Sequence, residues 1–327
     1  MISIREVAEL AGVSPATVSR VMNGTARVDP EKQERILKVI KETGFIPNES
    51  ARVLFRKSSK TIGLVIPSIR NPYFTELASW VEDIALKYGY RALLCCTEYD
   101  SEKEKSALQM LMSNSADAVI VASCSEQIKE LLNNCSIPVV ALDAMLIGAN
   151  VKASIFCDYY YGGRLAAEHL LECGCKNIVC IKGPQHRYSA RTRYQGYVDV
   201  CKEQNLPIQT IECDYDFNRG IAMTEELLNT YPEVDGIIAC NDIVAISTYK
   251  VLYNRKLKVP DTIQLVGFDD IAFASLLTPE LTTIHQPIEE MVGKAIELIV
   301  NKELSEVDGM KFIFPVTLIK RETTKKK

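Results

Sequence analysis

Apolar positions recur at two different periods along this chain of 327 residues, and the change falls near residue 61. Before it the spacing is helical. Ile4, Val7, Ala8 and Ala11 line one face of a short segment. Ser3 followed by Glu6 is a capping box at its start, and Gly12 ends it, because glycine tolerates left-handed backbone. Ser14 caps a second segment with Pro15 at its first helical position, and Val18, Val21 and Met22 turn that segment back onto the first. Asp29 and Pro30 open a third helix with an Ile36, Val39, Ile40 stripe, and Gly44 closes it. Asn48 can cap one more helix over 49–55, too short to hold by itself. The polar, basic run Arg56-Lys57-Ser58-Ser59-Lys60 reads as a linker.

From Thr61 short apolar runs alternate with helical patterns. Strands are predicted at 62–67, 91–96, 118–122, 138–142, 154–157, 178–182, 210–213, 236–240 and 264–268, with a strand-like stretch over 311–320. Helices are predicted near 73–88, 102–113, 126–133, 160–172, 190–204, 219–230, 244–253 and 289–300. Strands buried on both faces and separated by helices imply parallel sheets, and two such sets imply two doubly wound lobes. The ending, 323–327, reads as a disordered tail.

Two short helices around a glycine-containing turn, with the second packed back on the first, make a helix-turn-helix. Its second helix is the element that enters a DNA major groove. An ordinary helical hairpin has the same pattern, so charge matters. Residues 1–60 carry 11 Lys+Arg against 7 Asp+Glu, leaving 27 against 35 of the chain's 38 and 42 for the remainder. A basic head on an acidic body suits a head that meets phosphate.

Composition changes the picture little. Hydrophobic residues at 47% and charged residues at 24% describe a soluble globular protein. No apolar run reaches the roughly 18 residues that a membrane span needs, and no secretory signal is seen. The eleven cysteines form no paired CxxC, and Cys157, Cys180 and Cys240 sit in apolar runs as small hydrophobes. A reduced, cytoplasmic chain is therefore expected, with no disulfide scaffold. The three histidines are scattered, so no metal is expected and His285 reads as a support of the chain around it. An enzyme is not expected: there is no phosphate-binding loop, no GxGxxG after the first strand and no GxSxG. Asp269-Asp270 has no evident acid/base counterpart.

The motifs REVAELAGVSPATVSRVMN, GFIPNESARVL, IGLVIPSIRNPYF, GIIACNDIVA, IQLVGFDD and LTTIHQP together resemble the LacI/GalR family of transcriptional regulators, from Ile2 to about Glu322. The resemblance implies an all-α helix-turn-helix domain over 1–46 and a hinge helix and linker over 47–60. A two-lobed α/β body of the type I periplasmic-binding-protein kind would follow over 61–327. Its lobes would take about 61–158 with 288–314, and about 159–286 with 315–327. It implies a homodimeric repressor of sugar-utilisation genes that binds a palindromic double-stranded operator. No cofactor is implied beyond a small sugar effector. A phosphocarrier protein as corepressor, as in the catabolite-control branch, stays open.

On the DNA side, Pro15 and Ala16 fall where the family places base readers and offer apolar contact only. Arg20 is the side chain suited to a bidentate contact with guanine, or else to phosphate. Ser14, Thr17, Ser19 and Asn23 suit phosphate oxygens, with helix capping the alternative for Ser14. In the hinge, the resemblance places Asn48, Ala51, Arg52 and Leu54 on DNA. Leu54 would wedge into the minor groove beside its dimer mate, or else pack on the bundle.

On the ligand side, polar residues at the carboxyl ends of strands are the candidates, because open α/β sheets bind ligands there. They are Asn71, Asp143, Asn241 and Asp269. Tyr73, Phe74 and Phe217 supply aromatic faces, Arg191 and Arg193 a guanidinium, and Gln286 an amide. Asn71 and Asn241 also read as helix caps, and Asp143 and Asp269 as solvated loop residues. The pattern resembles ribose-binding proteins, with one departure: Ala144 stands where those carry an arginine. Ribose or a similar monosaccharide is the expected effector.

Overall fold

The computed structural model describes residues 2–23, 27–45, 58–122, 128–146, 151–301, 304 and 309–325. The expectations for Asn48, Ala51, Arg52 and Leu54 lie outside the described residues. The chain divides into two units, Met1–Ser59 and Lys60–Lys327.

In the first unit, α1 (Ile4–Ala11), α2 (Pro15–Asn23) and α3 (Pro30–Thr43) enclose a small core of Val7, Ala8, Ala11, Val18, Ile36 and Phe45. The capping box forms: Ser3 N–H donates to Glu6 Oε2 at 2.6 Å while Ser3 Oγ accepts from Glu6 N–H. Gly12 sits at φ 65°, and its N–H closes the helix onto Ala8 and Glu9 carbonyls. Ser14 Oγ accepts from Thr17 N–H at 3.2 Å. Asp29 caps α3 through Lys32 N–H.

The second unit is an alternation of β1 (Thr61–Ile66), α4 (Pro72–Lys87), β2 (Arg91–Cys96), α5 (Ser101–Ser113), β3 (Ala118–Ala122), α6 (Ile128–Asn133), β4 (Val139–Leu142) and β5 (Ala153–Cys157). There follow α7 (Tyr159–Glu172), β6 (Ile178–Lys182), α8 (Tyr188–Glu203), β7 (Gln209–Glu212), α9 (Phe217–Thr230), β8 (Gly236–Ala239), α10 (Asp242–Asn254) and β9 (Gln264–Asp269). It ends on β10 (Thr282–His285), α11 (Ile288–Val300), β11 (Met310–Phe314) and β12 (Thr317–Ile319). The strands form two six-stranded sheets in the orders β11-β5-β4-β3-β1-β2 and β12-β10-β9-β8-β6-β7. Pairing is parallel except between β10 and β12. Central strands such as β3 and β4 are buried along their whole length, as helices on both faces require.

Three details depart from the sequence reading. The stretch 311–320 is two strands, one in each sheet, because Pro315 between them has no N–H to donate and cannot continue a ladder. Strand β10 was not predicted: its threonines look polar, yet Thr282 and Thr283 are fully buried and β-branched. The ending is not a loose tail as far as it is described. Thr323 and Thr324 are buried; Thr323 donates to Leu265 O and accepts from Thr282 N–H, and Lys325 N–H donates to Gln264.

The chain passes between the sheets at 157–159, 285–288 and 314–317, counted among the described residues. These crossings bring the carboxyl ends of β1, β4, β8 and β9 towards one another, which sets up the site.

Candidate functional site

In the second unit a cleft is lined by Asn71, Tyr73, Phe74 and Asp143 from one lobe and Ser189, Arg193, Tyr215, Asn241 and Asp269 from the other. Strand ends deliver most of them, and each end has a local reason. Asn71 and Asn241 cap α4 and α10: their Oδ1 atoms accept from Tyr73 N–H at 3.1 Å and Val244 N–H at 2.9 Å. The cap uses the oxygen and leaves the amide NH2 as a donor, so capping and ligand binding are compatible in one side chain. Asp143 and Asp269 sit at φ 53° and φ 119°, in backbone that non-glycine residues seldom adopt. Such conformations cost about 1–3 kcal/mol each and are kept where the surroundings impose them.

Both carboxylates are buried rather than solvated. Burial raises both above the usual carboxylate range, and the Arg193 guanidinium draws each back down. Asp143 accepts the Tyr159 hydroxyl, and Asp269 accepts Gln286 Nε2 at 2.7 Å. Asp242, below the cleft, is pushed up to about 7 by burial and holds the chain after Asp269 by accepting from Thr283 Oγ1 and Ile271 N–H.

Arg193 is the cation between them, 12% exposed and 3.8 Å from Asp269. It donates to Cys240 O and lies 3.6 Å from the Phe268 ring centroid, with Tyr159 beyond at 5.1 Å. Its position follows from two glycines. A Cβ on Gly163 would meet the Arg193 carbonyl at 2.0 Å, and one on Gly196 would meet Tyr160 O at 2.2 Å. Their absence lets α7 and α8 approach closely enough to aim Arg193 into the cleft.

Among the described residues, Tyr73 OH, Tyr215 OH, Arg193 Nε and Gln286 Oε1 are buried in or beside this cleft without a protein partner. Buried polar groups are costly when unpaired, so these mark where a polar ligand would bond. The lobes also touch directly, with Ala272 N–H donating to Glu76 Oε1 at 2.8 Å.

Of the ligand-side expectations, Asn71, Tyr73, Phe74, Asp143, Arg193, Asn241 and Asp269 come together, and Gln286 reaches the cleft through Asp269. Arg191 does not line it; it is exposed and donates to Gln185 O. Phe217 does not line it either: it starts α9, with Lys250 near its ring. Ser189 and Tyr215 take part instead and were missed. Each lies two residues from a predicted one, so the segments were legible and the phase was not. Ala144 follows Asp143 without lining the cleft.

In the first unit, Ser14, Pro15, Ala16 and Arg20 are exposed at the start and along α2, with Thr17 and Ser19 half-buried. Asn23 ends α2. Ser14 Oγ lies 2.9 Å from Thr17 Oγ1, so its hydroxyl caps the helix and still faces solvent. Among the described residues no group of His, Cys, Asp and Glu is placed to hold a metal ion, and no helix is long and apolar enough to cross a membrane. His285 is tied to Asp270 at 3.0 Å, at the crossing into α11.

Comparison with known proteins places these features. Residues 59–322 match the family of periplasmic binding proteins and sugar binding domain of LacI family, and residues 3–48 match bacterial regulatory proteins, lacI family. The ribose operon repressor of Halalkalibacterium halodurans is 40% identical over 326 residues, spanning 99% of this chain and 98% of that protein. A periplasmic binding protein/LacI transcriptional regulator from Alkaliphilus metalliredigens, solved in complex with D-xylulofuranose, is 38% identical with a TM-score of 0.75, over 82% of this chain and all of that one. The lac repressor dimer bound to operator and the anti-inducer ONPF is 26% identical with a TM-score of 0.88, over 99% of both chains.

Proposed function

The chain belongs to the lacI family of bacterial regulatory proteins, and on that premise we propose that it is a cytoplasmic, homodimeric repressor of sugar-utilisation genes whose operator affinity is set by a monosaccharide bound between its lobes. It is a regulator and not an enzyme. The observation that carries the sugar reading is the polar content of the cleft. Two buried carboxylates, one guanidinium, two amides and unpartnered tyrosine hydroxyls converge with the ring of Phe74. Carboxylates and amides bond adjacent hydroxyls, and an aromatic ring covers an apolar sugar face. Ribose or a similar monosaccharide is the effector proposed.

On the DNA side, exposed Arg20 reads one base while Ser14, Thr17, Ser19 and Asn23 hold phosphates and Pro15 and Ala16 give apolar contact. Two copies on a palindromic operator give the two-fold arrangement that half-sites require. Asn48, Ala51, Arg52 and Leu54 are proposed to bind DNA in the hinge. Binding of the sugar favours one arrangement of the lobes and thereby changes operator affinity, through the difference in its affinity for the two arrangements.

Titration calorimetry of the full chain with D-ribose, D-xylose, L-arabinose and D-xylulose, followed by operator titration with and without the sugar that binds, tests the reading. One sugar is expected to bind and to shift operator affinity. Failure of all four to bind, or binding without any shift, overturns it.

A further inference from the structure

Asp242 is fully buried and does not line the cleft. It opens α10 without capping it, since Asn241 Oδ1 takes the Val244 N–H. Its carboxyl reaches across β9 instead. Oδ1 accepts from Thr283 Oγ1 on β10 at 2.6 Å, and Oδ2 accepts from Ile271 N–H, just past β9, at 2.9 Å. That reach needs a glycine: Gly267 pairs with Thr283 in the β9–β10 ladder, and a Cβ there would meet Asp242 Oδ1 at 2.2 Å. Before Ile271 come Asp269 and Asp270, two successive non-glycine residues at positive φ, 119° and 60°. Such backbone persists only where its surroundings impose it. The ladder sets His285 opposite Asp269, and Gln286, the next residue, donates to Asp269 Oδ1 at 2.7 Å. One buried carboxyl therefore grips the chain two residues after Asp269 and three residues before Gln286.

We propose that Asp242 is a positioning residue for sugar binding: by tying Ile271 to Thr283 it fixes the Asp269–Gln286 pair in the orientation that bonds the ligand. The start of α10 then serves the cleft twice, directly through Asn241 and at one remove through Asp242. Outer hydrogen-bond partners orient ligating groups at metal sites in the same way. The inference rests on the sugar reading above. It goes further in assigning the geometry at the end of β9 to a residue that does not meet the ligand.

The test uses the full chain. Wild type is titrated with the four sugars above, and the one that binds tightest is carried forward. Asp242→Ala, Asp242→Asn, Thr283→Val and Thr283→Ser are titrated with it, and ligand-free melting temperatures check folding. Asp242→Ala is expected to weaken the sugar about tenfold or more, the scale on which outer partners act at other ligating groups. Thr283→Val removes one donor and keeps the shape, so it should weaken the sugar in the same direction by less. Asp242→Asn can accept from Ile271 N–H and donate to Thr283 Oγ1, and Thr283→Ser keeps the hydroxyl. Each should recover most of the corresponding loss. The deciding readout is coupling: in an Asp269→Asn background both losses should be much smaller, because a residue that acts through Asp269 has less left to orient. A general loosening of the lobe would cost the same fold in either background. Wild-type affinity in a folded Asp242→Ala overturns the proposal, and so does an equal fold-loss in the two backgrounds. Should Asp242→Ala fail to fold, Thr283→Val is judged by the same two criteria. If wild type binds none of the sugars, the sugar reading itself falls and this assignment with it, and that outcome is visible without any variant.

Discussion

The head carries Arg20 in solvent on a nine-residue helix, while the body buries Arg193 against two carboxylates and the ring of Phe268. Both are arginines offered as recognition elements, and their settings suit different targets. A polyanion is found from a distance, through exposed charge whose attraction falls off with salt. A small neutral ligand is held at short range, by groups already stripped of water and fixed in place. The head can be a minimal bundle because its reading surface needs only a rigid helix. The body needs two sheets because its nine lining residues converge from strand ends and helix starts far apart in the chain.

The contrast can be broken at either end, and the largest effect is expected in the cleft. Asp269→Ala should weaken sugar binding by about 2–5 kcal/mol, as removing one partner of a desolvated polar cluster does. Its melting temperature should fall as well, because Arg193 and Gln286 Nε2 are left buried without the carboxylate that they face. A calorimetric Kd equal to wild type would move the ligand elsewhere. Ile36→Ala acts on the other unit. A fully buried isoleucine in a small core is worth about 2–5 kcal/mol, so operator binding should fail while the body keeps its sugar affinity. A parallel loss of sugar binding would contradict two separate units. Arg20→Ala should cost about 1–3 kcal/mol and relax preference at one base per half-site. Uniform weakening on every sequence would assign it to phosphate.

The smallest effect concerns pH. His285 is raised above its ordinary 6.5, first by its hydrogen bond to Asp270, and Asp270 is lowered by His285 and Arg321 against the upward push of burial. A group whose folded pKa is raised gives its stabilisation fully below the unfolded value and loses it as pH rises through the folded one. Body stability should therefore decline slightly above pH 6.5, and His285→Gln should flatten that slope. With the His285 side chain 42% exposed, water weakens the pair and the change is small. A slope equally steep in the variant would assign it to other groups, Asp242 first among them, because its raised pKa acts in the same sense.

Much of the molecule is legible residue by residue. The capping box of Ser3 and Glu6, the left-handed Gly12 and the Asp29 cap are local devices, and local devices show in sequence. The strands buried on both faces are equally plain, and so are the polar residues at or after the ends of four of them. Asn71, Asp143, Asn241 and Asp269 could be named because polar residues after apolar runs recur in both lobes, although each alone also reads as a helix cap or a solvated loop residue. Strand β10 hid because buried threonine looks like exposed threonine when its partners, Thr323, Thr324 and Asp242, lie some forty residues away.

By itself, then, the sequence determined the helix-turn-helix, the two alternating lobes and the strand ends that carry the site. Only the tertiary structure chose Arg193 over Arg191 and Tyr215 over Phe217. Residues two apart on a helix point to nearly opposite sides, so just one arginine can enter the cleft, and periodicity does not say which. The choice comes from Gly163 and Gly196, whose missing side chains set how closely α7 meets α8. At the start of α9, Asp216 caps the helix; on either side of it, Tyr215 lines the cleft and half-buried Phe217 does not. Phase is a property of packing, and packing is decided by residues that meet only when the chain has folded.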